Sequence, residues 1–376
     1  MVYWLVSLQL QNKRKEAIWE LLQERTSASM LCTNFKLDIP ELRIGTLDSL
    51  MALSDELSKT SNVVEGVIAK VKRQVNEVGG AKALASLTVE GASTDVYVQR
   101  FKWDEAKFPT RRLLKEAVDK MAELVSRVED DLKVKVSEYN TLKSQLSQAT
   151  RRAQGSLAVR DISTVVKPQH VVDTEHLATL FVVVSKFALR EWDDSYARMA
   201  NFVVPKSSEL VAEDNDYALV TVVLFKRVVD DFKASARSKG YQVREYKSPT
   251  EGSELSLAQT EQLKLDMEQK KGALEQWCKT AYGEVFSCYM HILVVRLFVE
   301  SILRYGLPPT FQAAVVRPQD KAESRLRAEL EAAFGGGKTH YWKDDGSSLG
   351  AGLVGDTELY PYVSLTVNTD AVVGYA

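Results

Sequence analysis

"RLLKEAVDKMAELVSRVEDDLKVKVSEYNTLKSQLSQATRRAQ", Arg112–Gln154, carries apolar side chains at Leu114, Val118, Met121, Val125, Val128, Leu132, Val136, Tyr139, Leu142 and Leu146. Steps of three and four residues place them on one narrow stripe, which predicts a single long helix. A second segment, Leu255–Leu303, repeats the pattern at Leu263, Met267, Leu274, Trp277, Ala281, Val285, Cys288, Ile292 and Val295, and ends at Gly306, Pro308 and Pro309. At about 1.5 Å per residue each helix extends roughly 65 to 75 Å, longer than a compact domain needs. Neither buries its stripe alone, so an antiparallel pair is the economical arrangement.

Residues 155–254 read differently. "LATLFVVV", "ALVTVVLF" and "YQVREY" are rich in β-branched and aromatic residues and predict strands. A helix over Lys226–Lys239 has Phe225, Val228, Val229, Phe232 and Ala236 along one face, with Gly240 placed for a left-handed cap. This middle block reads as a small α/β domain. Both chain ends carry strand patterns, "YWLVSLQL" at Tyr3–Leu10 and "YPYVSLTV" at Tyr360–Val367. An antiparallel helix pair returns the chain to its start, so the ends share one domain. The expected fold is α+β: an elongated dumbbell with a composite foot from both termini (1–111 and 283–376), a long antiparallel two-helix neck (112–154 and 255–282) and an inserted α/β head (155–254). No internal repeat is visible.

The 376 residues are 45% hydrophobic and 27% charged, the composition of a folded chain with room for two or three cores. Lysine and arginine number 49 against 51 aspartate and glutamate, which gives no reason to expect nucleic acid or an anionic membrane as the main partner. Three cysteines, Cys32, Cys278 and Cys288, make neither a disulfide framework nor a metal-ligand spacing, and fit packing roles in a reducing, cytosolic compartment. The N-terminus reaches charge too soon for a secretory signal. The longest apolar stretch, "CYMHILVVRLFVESIL", is interrupted by Arg296 and Glu300 and reads as a buried helix, with no transmembrane segment expected.

Candidate chemistry is sparse. "FGGGKTHYW", Phe334–Trp342, contains Gly337, Lys338 and Thr339, the string that ends a phosphate-binding loop. That loop needs a glycine where this chain has Ala332, and a strand where "DKAESRLRAELEAAF" predicts a helix. A nucleotide-binding enzyme using these three residues is the alternative reading, and a surface loop is the better one. His291 reads as a core histidine, and His170 and His176 complete no metal site. "VEDDLK", Val128–Lys133, points its acids around a helix rather than together. No catalytic, cofactor or metal residues are therefore assigned. The one surface of interest is basic. Lys226, Arg227, Lys233, Arg237, Lys239, Arg244 and Lys247 outnumber Asp230, Asp231 and Glu245. Lys226 and Arg227 are expected to pair with the aspartate four residues on, which leaves Lys233, Arg237, Lys239 and Arg244 as candidates for docking an acidic partner helix.

Taken in order, "FKLDIPELRIGTLDSLMALSDELSKTSNVVEGV", "FKWDEAKFPT", "VEDDLKVKVSEYNTLKSQL", "GSLAVRDI", "VVPKSSELVAEDNDYALVTVVLF", "VREY", "WCKTAYGEVFSCYMHILVVRLFVESILRYGLPPTF" and "ELYPYVS" resemble the C-subunit family of the vacuolar-type proton-pumping ATPase (V-ATPase), most of all its plant and algal members. "RYGLPP" and "IGTLDSL" are the most distinctive. The resemblance implies the dumbbell described above and a non-catalytic connector. Such a connector joins peripheral stalks, made of the E and G subunits, to the cytosolic domain of the membrane sector's a-subunit, on the cytoplasmic face of vacuolar and other endomembranes. It also implies a part in regulated detachment of the cytosolic sector. Actin or nucleotide binding is associated with some members, and no motif here supports either. The glycine-rich stretch falls where the family is variable.

Overall fold

The computed structural model describes residues 1–160, 162, 165–244, 246, 252–335 and 360–369. The chain forms two compact units: Met1–Lys135 with Ala273–Ala376, and Val136–Gly272. It opens with β1 (Val2–Gln9), α1 (Lys15–Leu22) and β2 (Cys32–Lys36), followed by α2 (Leu47–Ala85), a small ribbon of β3 (Thr88–Val89) and β4 (Ala92–Ser93), α3 (Thr94–Gln99) and α4 (Leu114–Gln154). Then come β5 (Leu177–Ser185), α5 (Leu189–Ser195), β6 (Leu210–Glu213), β7 (Tyr217–Phe225), α6 (Val229–Ser238) and β8 (Gln242–Arg244). The chain returns through α7 (Gly252–Tyr305), β9 (Phe311–Pro318), α8 (Glu323–Phe334) and β10 (Val363–Asn368). Antiparallel sheets with separate helices make the class α+β.

In the first unit the sheet order is β10-β1-β9-β2, and β1 pairs with β10 from Val2↔Asn368 to Ser7↔Val363. The strand lacks an alternating pattern because both its faces are covered. Trp4, Val6 and Leu8 pack with Ile18 and Leu22 of α1 and Leu326, Leu330 and Phe334 of α8. Tyr3, Leu5 and Ser7 on the opposite face are equally buried, and the Tyr305 hydroxyl at the end of α7 donates to the Ser7 carbonyl at 2.6 Å. The apolar window of α7 is 89% buried in this core. The two charges that interrupt it satisfy each other, Arg296 Nε to Glu300 Oε1 at 2.7 Å, one helical turn apart.

A third long helix, α2, has no counterpart in the expectation drawn from the apolar stripes. Its Leu50, Leu53, Leu57, Val64, Val67, Val71, Val75 and Val78 are buried, with the Thr46 side chain accepting from the Ser49 amide at its start. Gly80 (φ 71, ψ −171) breaks its last part, a backbone region essentially reserved for glycine.

The second unit corrects the expectation of no repeat. β5 and β7 each span nine residues, each enters a three-residue 3₁₀ turn (Lys186–Ala188, Lys226–Val228), and α5 and α6 begin at Leu189 and Val229. Each of these boundaries is offset by 40 residues, although α6 runs on past the point equivalent to the end of α5, and the cap geometry repeats, with Ser185 at φ −61, ψ 139 and Phe225 at φ −70, ψ 136. Because the strands pair antiparallel, only Phe181↔Thr221 maps onto itself, so a local twofold axis passes through that pair. Trp192 and Phe232 are equivalent under it, and both are fully buried. β6 and β8 complete the order β6-β7-β5-β8.

α6 ends in a Schellman motif: the Gly240 amide donates to Arg237 O and the Tyr241 amide to Ala236 O, both 3.0 Å, with Gly240 at φ 81. A Cβ at Gly240 would meet no atom within 4 Å, so substitution there costs only backbone strain. Gly240→Val is expected to lower the stability of this unit by about 1–2 kcal/mol in urea melts, the cost of a β-carbon in the left-handed region. A melt unchanged from wild type would rule out that cap.

Candidate partner-docking surface

The basic face predicted on the second unit is built on the 3₁₀ turn, α6 and β8. The turn alters its charge pairing. With three residues per turn, positions four apart no longer share a face. Lys226 accordingly does not pair with Asp230 but with Asp173, Nζ to Oδ1 at 2.9 Å. Arg227 lays its guanidinium 3.8 Å over the Phe202 ring and 5.7 Å from the Phe225 ring instead of reaching Asp231. Asp230 and Asp231 stay exposed in the first turn of α6, where the helix dipole favours them.

Lys233 and Arg237 stand one turn apart on α6, the first half-buried and the second exposed, and Lys239 is exposed at the C-cap. Helical spacing puts Lys233 and Arg237 on one face, and Lys239 stands at the end of the same helix. Arg244 is not available in the same way. Its guanidinium donates to Ala158 O and Arg160 O, both 2.9 Å, and ties β8 to the segment that follows α4. Arg244 therefore has a structural task that local charge counting could not show. Glu245 and Lys247 lie outside the described residues.

The other candidates resolve into packing. His291 is fully buried; its Nε2 accepts from the Asp104 amide at 3.0 Å and its Nδ1 lies 2.7 Å from Ser287 O. A ring with one acceptor and one donor nitrogen is neutral, and burial holds its pKa below the ordinary histidine value. Two of the three acids of the Val128–Lys133 stretch are paired, Glu129 with Lys70 at 2.8 Å and Lys133 at 3.6 Å and Asp130 with Lys133 at 3.1 Å, and Asp131 is exposed. The three cysteines are buried free thiols, and burial pushes Cys278 and Cys288 up to about 11, where they are protonated and unreactive. Among the described residues no group of three or more His, Cys, Asp or Glu is placed to hold a metal. Gly337, Lys338 and Thr339 lie outside the described residues; the element before them is helix α8, capped at Gly335.

With no catalytic cluster assembled among the described residues, the comparisons with known proteins carry the identification. The family model described as the V-ATPase C-subunit matches residues 3–363. The chain belongs to the V-ATPase C-subunit family. A V-type proton ATPase C-subunit from Arabidopsis thaliana is 46% identical over 370 residues, covering 97% of this chain and 98% of that protein. A C-subunit from Manduca sexta is 38% identical over 381 residues, covering 98% of each, and one from Dictyostelium discoideum is 35% identical over 376 residues, covering 97% and 98%. Membership makes the chain an accessory subunit of a proton-transporting ATPase and not a catalytic one.

Proposed function

We propose that this chain is a stator connector of the proton pump. It joins the E and G peripheral stalks to the cytosolic domain of the membrane sector's a-subunit and takes part in regulated detachment of the cytosolic sector. In this reading it is cytosolic and peripheral, on the cytoplasmic face of vacuolar and other endomembranes. The two helical segments α4 and α7 form an antiparallel neck between a foot and a head. The observation that carries the reading is family membership over residues 3–363, joined to a chain that folds as two compact units with α4 and α7 running from one into the other. Two docking surfaces on one body reinforce each other through effective concentration, and losing one releases the whole. That is the physical requirement of a detachable connector.

The test is binding of the purified chain to the E–G heterodimer of its own species at micromolar concentration. Absence of binding, together with a pump that assembles without the chain, would overturn the proposal. Within it, Lys233, Arg237 and Lys239 dock an acidic stalk surface. Lys233→Glu with Arg237→Glu is expected to weaken stalk binding roughly tenfold and to flatten its salt dependence, as reversal of interface charge does. Arg244→Gln serves as the contrast. It removes two charge-assisted hydrogen bonds worth about 1.5–3 kcal/mol each and is expected to lower stability first. Unchanged affinity in the double reversal would remove the α6 face from the interface.

A further inference from the structure

The first unit holds a cleft that no part of the reading above uses. It has a volume of about 510 Å³ and is lined by Lys36, Asp38, Ile39, Pro40, Arg100, Phe101, Lys102 and Trp103. Lys36, Arg100 and Lys102 are exposed cations on its rim, and Asp38 is the one acid among the lining residues. None of the three cations is ion-paired among the described residues, although Lys36 Nζ lies 5.5 Å over the Trp19 ring. On a chain with net charge −2, this is a local surplus of positive charge. Ile39 and Pro40 are half-buried, Phe101 is buried and Trp103 is half-buried, so the floor is apolar and aromatic.

The loop carrying this floor is held rigid. Trp103 spends its indole N–H on the Phe108 carbonyl at 2.8 Å and so offers a ligand its ring rather than a donor. Asp104 caps its own turn, Oδ1 accepting from the Ala106 and Lys107 amides at 3.0 and 3.1 Å, while its amide donates to buried His291. Binding to such a loop incurs little ordering cost.

We infer that this cleft docks an acidic peptide segment of a partner protein that carries an aromatic or aliphatic side chain among its carboxylates. Three outward cations above an apolar floor match carboxylates spaced along an extended chain, with one side chain laid on Trp103 and Phe101. A free phosphate or an inositol phosphate headgroup needs converging donors and would leave that floor unused. The Asp38–Pro40 segment also walls a second cleft of about 410 Å³, which includes Leu37, Leu42, Phe298 and Phe311, so an extended occupant has a further apolar recess beside the first. The surface belongs to the first unit, whereas the α6 face belongs to the second.

The test is selection of random dodecamer peptides displayed on phage against the full chain, followed by fluorescence polarisation of the enriched peptides at about 0.15 M salt. The expected result is a consensus rich in Asp and Glu around Trp, Phe or Leu. Its affinity falls by about tenfold in Lys36→Glu with Lys102→Glu, and by less in Lys36→Gln with Lys102→Gln, as loss and reversal of rim charge require. The glutamine pair keeps the comparison meaningful if the reversal disturbs folding, which a thermal melt reports. No acidic consensus, or one that binds both variant pairs as tightly as wild type, overturns the inference. So does charge-dependent binding of the same residues to phosphatidylserine or phosphoinositide vesicles with no acidic peptide selected, which would make this a membrane contact.

Discussion

Trp192→Ala is expected to lower the stability of the second unit by about 3–5 kcal/mol, the usual cost of deleting a fully buried large aromatic. Trp192 is 0% exposed, stacks on Tyr196 with centroids 5.8 Å apart, and meets the edges of Phe232 at 6.4 Å and Tyr241 at 5.0 Å. Its indole N–H donates to Ser208 Oγ at 3.0 Å, fixing the loop before β6. The site is also one half of the local twofold pair, so the cavity opens in the core cluster that Trp192 shares with Phe232. Against a typical total of about 5–15 kcal/mol, a loss of this size leaves the unit marginal. Trp192→Phe keeps a ring in the cluster and gives up the hydrogen bond and part of the volume, so its cost is expected to be near 1–2 kcal/mol. Urea melts of the full chain, followed by far-ultraviolet circular dichroism, check both. A Trp192→Ala transition within a few tenths of a kcal/mol of wild type would refute the assignment of this residue as the unit's central packing element.

That pair of aromatics shows what a sequence can hide. The 40-residue repeat keeps burial and chain geometry but not identity: Trp192 answers to Phe232, and Tyr196 to Ala236. The eye looks for matching letters, while the fold matches volumes in two places that need not be equal. Long helices are easier. The stripe from Leu114 to Leu146 stands out against lysine and glutamate, and Gly306 marks the end of α7. α2 has as good an apolar spacing, from Leu50 to Val78, yet its serines, asparagine and lysines dilute it. The strands over Tyr3–Leu10 and Tyr360–Val367 are legible from their β-branched and aromatic content, and the pairing of β1 with β10 puts them side by side.

The docking candidates are legible as charge and illegible as geometry. Helical spacing gives Lys226 a partner four residues on, but the chain enters α6 through a 3₁₀ turn, and the lysine reaches Asp173, more than fifty residues earlier. Arg244 finds its acceptors at Ala158 and Arg160, more than eighty residues away. Contacts of that range depend on the fold, and no local spacing rule contains them.

Lowering the pH from 7.5 to 5 is expected to weaken the first unit through His291, and a non-titrating residue at that position is expected to abolish this component. The imidazole is fully buried among Phe101, Trp103 and Phe108, each with its ring centroid 4.9 Å away. Burial lowers its pKa; the Ser287 carbonyl, Asp104 and Glu90 act in the opposite direction, and Lys107 adds to the lowering. Burial is the largest of these and prevails, and a proton on Nε2 would in addition confront the Asp104 amide donor to donor. The unfolded chain takes up its proton near pH 6.5, whereas the folded chain resists until lower pH. Stability is therefore complete above about 6.5 and falls as the pH drops toward the folded value, by at most about 1.4 kcal/mol per pH unit for one proton. Protection of the Asp104 amide, measured by hydrogen exchange after correction for the intrinsic pH dependence, reads the event at its source. His291→Gln retains an acceptor and a donor but no titration. It is expected to be less stable at pH 7.5 and to lose the extra slope between pH 6.5 and 5. The depressed carboxylates Asp104 and Glu129 lose their stabilisation below their ordinary range, near pH 4, so they leave this window clear. An equal slope in His291→Gln and wild type would mean that the buried imidazole is not the group that titrates. A slope of opposite sign would mean that the nearby carboxylates outweigh burial and that the folded unit prefers the imidazolium.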